Sequence, residues 1–193
     1  MAGNPFECNP FEWWQAHRRC CYHPHMKQTL QVLLQLREEG ALAQFAVGGA
    51  VAASFYIEAI ATEDLDIFAF LQSSPGGLLM LTPLYDRLKA LGATVHNEHV
   101  LIHGWPVQIL PAYTPLVEAA VSEAQPQDYM GLTVPVVTAD YLCAIALQTG
   151  RPKDYQRVHA LISAGSVTAA MLRQLVQSHH LQDRWNTYAH RYT

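Results

Sequence analysis

The sequence predicts a mixed α/β (α+β) core followed by a C-terminal helical domain. Two patterns carry this. Up to Val137, short β-rich runs bounded by glycine or proline alternate with amphipathic stretches. From Thr138 onward there are only helical patterns, with their own cap and stop residues. The chain therefore divides into an irregular N-terminal extension over 1–26, a core over 27–137 and a helical domain over 138–193. Its 193 residues suffice for one well-buried domain, or for a domain with a small appendage.

Each element has a local reason. Residues 1–25 hold Pro5, Pro10, Pro24, three cysteines and the pair Trp13–Trp14, a composition that suits no regular element. MKQTLQVLLQLREEG, from Met26, places Leu30, Leu33, Leu34 and Leu36 at roughly helical spacing, and Gly40 can end the helix. QFAVGG reads as a strand stopped by a tight turn, and AVAASFYIEA as a helix of about three turns. LDIFAFL reads as a buried strand and SSPGG as a loop. LLMLTPLYDRLKALG is a second amphipathic helix, broken or begun near Pro83 and ended by Gly92. ATVHNEHVLIHGWPVQIL supplies two or three strands with a turn at His103–Gly104. PAYTPLVEAAVSEA supplies a short helix and LTVPVV another strand. Beyond these, TADYLCAIALQTG has a cap candidate in Thr138 and a stop in Gly150. RPKDYQRVHALISAG carries Pro152 in its first turn, and SVTAAMLRQLVQSHHLQDRWNTYAHRY reads as one long helix or two short ones.

Composition narrows the function. The net charge is −4 and the chain has no basic block, so charge gives no support to generalised nucleic-acid binding. No apolar run reaches about 18 residues, so no membrane-spanning helix is expected. MAGNPFECNPFEWW lacks the basic start and apolar core of a secretory signal. Only 15% of residues are charged, which favours a surface covered by a partner or by a second copy of the chain. Cys143 lies in an apolar run and reads as a small buried hydrophobe, and the adjacent Cys20 and Cys21 fit disulfide geometry poorly. A reduced, cytoplasmic protein is expected. Cys20, Cys21, His23 and His25, with Cys8 and His17 upstream, make one crowded cluster with no clear second pair, unlike a structural zinc site. His96, His99, His103, His179 and His180 are scattered. His99 and His103 would share a strand face, but nothing acidic is expected to complete a site there.

Three features converge on one chemistry. Gly48–Gly49 follows a strand and opens a helix, where backbone N–H groups can approach an anion such as a phosphate. Asp64 and Asp66 lie two apart on the next strand, hence on one face, with Glu63 on the other. Two carboxylates held that close repel, and a hard divalent cation such as Mg²⁺ relieves the repulsion. An Asp-x-Asp at an exposed strand end is commonly a solvated edge. Here Leu65, Ile67, Phe68 and Phe70 argue instead for a buried strand with one polar face opening into a cleft.

VGGAVAASFYIEAIATEDLDIF resembles the signature of the nucleotidyltransferase superfamily: an apolar residue, Gly, Gly or Ser, a helix, then Asp-apolar-Asp-apolar. Val47, Gly48, Gly49, Asp64, Leu65, Asp66 and Ile67 fill it in order. The long spacing, the Glu-Asp-Leu-Asp strand and the later RPKDYQRV are similar to the AbiEii-like toxin branch of that superfamily, polymerase-beta-like in fold. The resemblance implies a mixed sheet with flanking helices and Mg²⁺ held by Asp64 and Asp66. It also implies a nucleoside triphosphate cradled by Gly48 and Gly49, with Ser54 as a further phosphate contact. Lys153 and Asp154 would join the catalytic group; a Lys-Asp pair early in a helix is otherwise an ordinary solvated face that suits the helix dipole. The implied reaction moves a nucleoside monophosphate to an RNA, protein or small-molecule acceptor by metal-clamped in-line displacement. An antitoxin or other protein partner is implied by the toxin branch alone.

The sequence departs from the family at one position. Active members bring a third carboxylate from a later strand, and the matching stretch here is PVQILP, with Gln108 between Val107 and Ile109. Either another acid such as Asp154 serves, or the site holds nucleotide without turning it over. A degenerate nucleotide-binding module and a helical interaction protein are the alternatives to an enzyme.

Overall fold

The structure is a computed structural model that describes residues 24–58, 62, 64–71 and 81–192. The Cys/His-rich start through His23, the SSPGG loop and Glu63 lie outside the described residues.

The chain runs α1 (Pro24–Glu38), β1 (Gln44–Val47), α2 (Gly49–Ala53), β2 (Leu65–Phe70), α3 (Thr82–Ala90), β3 (Thr94–His96), β4 (His99–Ile102), β5 (Trp105–Pro111), α4 (Pro115–Ser122), β6 (Gln125–Tyr129), β7 (Leu132–Val136), α5 (Ala139–Thr149), α6 (Pro152–Ser163), α7 (Ala169–Ser178) and α8 (Gln182–Tyr192). All strands join one mixed sheet in the order β3-β4-β5-β2-β1-β7-β6. The pairs β2–β5 and β1–β7 are parallel, and the rest are antiparallel.

β2 is an inner strand, and its sequence shows why. Leu65, Ile67, Phe68 and Ala69 are all buried, so both faces are covered and the run is nearly continuous in apolar residues. α1 buries Met26, Leu30, Leu33 and Leu36, and its buried Thr29 hydroxyl donates to the Ile102 carbonyl at 2.8 Å. That bond ties the helix to the end of β4. The hairpin between β4 and β5 turns at His103 and Gly104, both at positive φ, as the two-residue turn requires.

The helical region is organised around α5, which buries Tyr141, Leu142, Cys143, Ala144, Ala146 and Leu147 and contacts α6, α7 and α8. Gly150 ends it in the left-handed conformation. The stretch from Ser166 to the C-terminus forms two short helices rather than one long one. Among the described residues no strand follows β7, and no helix is long and apolar enough to cross a membrane.

Two expectations fail for identifiable reasons. The helix after the glycine turn is five residues, not three turns. Ser54 caps it and donates its hydroxyl to the Val51 carbonyl at 2.6 Å. The backbone then tightens into i→i+3 bonds at Phe55 and Tyr56. Tertiary contacts take over from there: Tyr56 donates to the Val137 carbonyl, and Ser166 donates to the Tyr56 carbonyl. The second miss is β6. QPQDY has no apolar alternation and contains Pro126, yet it pairs along β7. It lies at the sheet edge, where a strand needs only one hydrogen-bonding side and proline is tolerated.

Candidate functional site

The site begins at the end of β1. β1 and β2 are antiparallel with Val47 opposite Ile67, and the Gly48 N–H donates to the Asp66 carbonyl at 2.8 Å. The two glycines are required for different reasons. A Cβ on Gly48 would lie 2.3 Å from Cε2 of Phe68. Gly49 has φ +59, and a Cβ there would lie 1.8 Å from Oδ2 of Asp66. The Asp66 carboxylate therefore rests directly on the Gly49 backbone. Residues well separated in sequence form one contact, with the opening of α2 on one side and the paired acids on the other.

Asp64 stands just before β2. Its Oδ1 accepts from the Thr62 hydroxyl at 3.2 Å, and its Oδ2 is 3.5 Å from Nε2 of His99. Burial, and then the charge of Asp64, push the Asp66 pKa up to about 6, against the pull of Arg157, Lys153 and Arg151 from α6 and its approach. Thus α6 brings three cations within electrostatic reach of the acid pair, although nearly 90 residues of chain intervene.

Asp66 pairs in register with Gln108 of the parallel neighbour β5, so the two side chains share a face. The position where the sequence offers Gln108 in place of a third acid is thus the one beside Asp66. The β4–β5 pairing runs from Ile102 opposite Trp105 to Val100 opposite Val107, and His99 is the next residue of β4. Asp66 and Gln108 are neighbours across β2 and β5, and His99 of β4 reaches Asp64. The expectation that no acid accompanies His99 is therefore corrected: Asp64 does. The turn at His103–Gly104 was legible and aligns β4 with β5, but the β2–β5 register that brings Asp64 near His99 was not.

Asp154 has a defined local job. It is 1% exposed, accepts from the Arg151 backbone N–H at 3.2 Å, and takes Arg151 Nε and Nη2 at 2.7 and 3.2 Å. Nη1 of Arg157 is 3.9 Å away. Both oxygens of the carboxylate are thus engaged at the first turn of α6, a capping arrangement strengthened by charge. Lys153 beside it is exposed. The Ser54 hydroxyl is directed to the Val51 carbonyl, as described above.

Among the described residues no three His, Cys, Asp or Glu side chains stand close enough to hold a metal ion. A divalent cation here would rest on Asp64 and Asp66, with its other ligands from a bound phosphate and water, as suits Mg²⁺. The donor chemistry fits: hard oxygens, mutually repelling, one of them held well above the usual carboxylate range.

The fold places this site in a known architecture. An antigenic nucleotidyltransferase-like protein from Paracoccidioides brasiliensis superposes with TM-score 0.53 at 12% identity, over 86% of this chain and 91% of that one. The antibiotic-resistance factor ANT(2'')-Ia superposes in its solution structure with TM-score 0.53 at 18% identity, over 84% and 97%. Its crystal structure in complex with adenylyl-2''-tobramycin gives TM-score 0.54 at 16% identity, over 81% and 98%. No protein-family model matches the sequence, and no curated protein matches it. The chain has a nucleotidyltransferase-like fold: a mixed sheet, flanking helices and a C-terminal helical region.

Proposed function

We propose that the protein is a divalent-metal-dependent nucleotidyltransferase that moves a nucleoside monophosphate to a hydroxyl group of a small molecule. The observation that carries this reading is the contact of the Asp66 carboxylate with the Gly49 backbone, with Asp64 alongside. Two carboxylates and a glycine turn that adjoin in this way support a reading in which one metal-bound phosphate ligand meets both. Mg²⁺ bound there would neutralise charge on the triphosphate and on the pentacoordinate α-phosphorus. The acceptor oxygen forms a bond to the α-phosphorus and gives up its proton to water, the bond from the α-phosphorus to the bridging oxygen breaks, and pyrophosphate carries away the electron pair. The Gly49 backbone N–H would face the phosphates and Lys153 supplies positive charge; the Gly48 N–H, expected from the sequence to join it, is instead donated to the Asp66 carbonyl. Asp64 and Asp66 orient the metal-bound triphosphate, and Asp154 holds the start of α6 in place.

The small-molecule acceptor is favoured over RNA or protein because a neighbour in fold is solved with an adenylylated small molecule. The AbiEii-like toxin reading, with an antitoxin as partner, rests on the long spacing and on the Glu-Asp-Leu-Asp and Lys-Asp segments. The test is pyrophosphate release from ATP, CTP, GTP and UTP with Mg²⁺ over a panel of polyhydroxylated acceptors. The double variant Asp64→Ala/Asp66→Ala serves as the control. Release that survives the double variant, or nucleotides that fail to bind at all, would overturn the proposal.

One observation favours a second reading. Gln108 adjoins Asp66 in the sheet, and a neutral amide is a poor Mg²⁺ ligand and no proton acceptor. A module that binds nucleotide and releases no pyrophosphate fits this position. Calorimetric binding without turnover over the same acceptors would support it.

A further inference from the structure

His99 reaches Asp64 from a strand that is not its neighbour. β5 lies between β2 and β4, and Leu65 and Val100 both pair with Val107. Asp64 precedes Leu65 and His99 precedes Val100, so the two residues start within one position of the same level, two strands apart. Adjacent strands stand about 4.8 Å from each other, so two such spacings separate the backbones. The side chains close that gap: Nε2 of His99 is 3.5 Å from Oδ2 of Asp64. The other oxygen of Asp64 accepts from the Thr62 hydroxyl, which leaves Oδ2 for the imidazole. The His99 and Asp64 side chains are 27% and 33% exposed, so an ion from solvent can enter between them.

That separation suits two metal ligands better than a hydrogen bond. An ordinary N–H···O bond spans about 2.7–3.2 Å, and 3.5 Å lies beyond it. Metal bonds to nitrogen and oxygen of about 2.0–2.2 Å set neighbouring donors on one ion roughly 3.0–3.5 Å apart. Nε2 and Oδ2 therefore stand at the spacing of two donors on a shared cation. The donors also differ in kind from a pair of carboxylates. Oxygen ligands suit Mg²⁺, whereas an imidazole nitrogen suits ions such as Zn²⁺ and Ni²⁺. Gln108, on the strand between, offers only a neutral amide, and the Asp66 carboxylate rests on the Gly49 backbone.

We propose that His99 is a metal ligand: its Nε2 and Oδ2 of Asp64 share one first-row transition ion of the Zn²⁺ or Co²⁺ class, with water or a phosphate oxygen in the remaining positions. The assignment rests on the reading of Asp64 as a metal-binding residue of a nucleotidyl-transfer site. It adds a ligand from β4 that no motif pointed to. It also makes the favoured ion softer than the Mg²⁺ that carboxylates alone select.

The test is calorimetry on the full chain with Zn²⁺, Co²⁺ and Mg²⁺, each alone, together with the visible absorption of the Co²⁺ complex. His99→Ala and Asp64→Asn should each weaken one Zn²⁺ and Co²⁺ site by about tenfold or more and change its Co²⁺ spectrum. Mg²⁺ affinity should fall in Asp64→Asn and stay level in His99→Ala. His99→Gln, which keeps a polar side chain of similar reach, decides the matter if His99→Ala unfolds. An ion on the N-terminal cysteines would show thiolate-to-cobalt charge-transfer absorption and would survive both variants. Equal Zn²⁺ and Co²⁺ affinities in wild type and the His99 variants would reduce the contact to an ion pair and overturn the proposal. His96 lies directly opposite His99 in the β3–β4 hairpin. A loss in His96→Ala as large as in His99→Ala, with none in Asp64→Asn, would move the ion to the two histidines and also overturn it. Mg²⁺ and ATP binding that depend on Asp64 would then leave the nucleotidyl-transfer reading standing. If Asp64→Asn alters the binding of no ion and of no ATP, that reading falls, and the His99 assignment with it.

Discussion

Asp66→Asn should stabilise the metal-free protein at neutral pH while destroying its function. The wild-type carboxyl is raised from an ordinary 3.8 to about 6, by burial first and by Asp64 second. An acid whose folded-state pKa is raised holds its proton more tightly folded than unfolded. Its contribution therefore favours folding below about pH 4, and is lost as pH rises through 4 to 6. The gap corresponds to at most roughly 3 kcal/mol at pH 8, at 1.36 kcal/mol per unit, and less where water screens the partly exposed group. Asparagine keeps the shape and cannot ionise. Urea denaturation in EDTA should show Asp66→Asn above wild type by one to three kcal/mol (about) at pH 8, and level with it near pH 4. Mg²⁺ should close the gap at pH 8 by stabilising wild type and not the variant. If Asp66→Asn is no more stable than wild type at pH 8, or shows the same pH slope between 4 and 7, the picture of a strained acid pair relieved by a cation is wrong.

Other perturbations test other contacts. Gly49→Ala should cost more than about 2 kcal/mol in chemical denaturation, because the left-handed backbone penalty adds to a Cβ placed 1.8 Å from Oδ2 of Asp66. Gln108→Asp puts a third acid beside Asp66. It should lower metal-free stability at pH 8 and strengthen Mg²⁺ or Mn²⁺ binding by about tenfold, measured calorimetrically; unchanged metal affinity would remove Gln108 from the site. Cys143 is buried in α5, with its thiol pushed up to about 12 by desolvation and by Asp140. Mass spectrometry after alkylation at pH 8 should find it unmodified in the native protein and labelled only after unfolding.

Much of the fold was legible because periodicity and punctuation agree locally. The leucines of α1, the buried run of β2, the turn at His103–Gly104 and the Gly150 stop each follow from neighbouring residues. The elements that escaped depend on distant groups. β6 is a strand only because β7 offers it an edge. AVAASFYIEA stops being helical after Ala53 because the Tyr56 hydroxyl and carbonyl are bound by Val137 and Ser166.

The sequence by itself determined the chemistry on offer: two acids two residues apart at the start of a strand, a glycine turn before them, and Gln108 where a third acid is expected. Side-chain type and the two-residue period of a strand are local properties, so no fold was needed to read them. Only the tertiary structure decided which of these groups meet. Sheet register put Gln108 beside Asp66 and brought His99 to Asp64, and the packing of the helical region put the Asp154 carboxylate between Arg151 and Arg157. Register, helix packing and the left-handed backbone under Asp66 are fixed by contacts between residues far apart in the chain. A linear pattern carries little of that information.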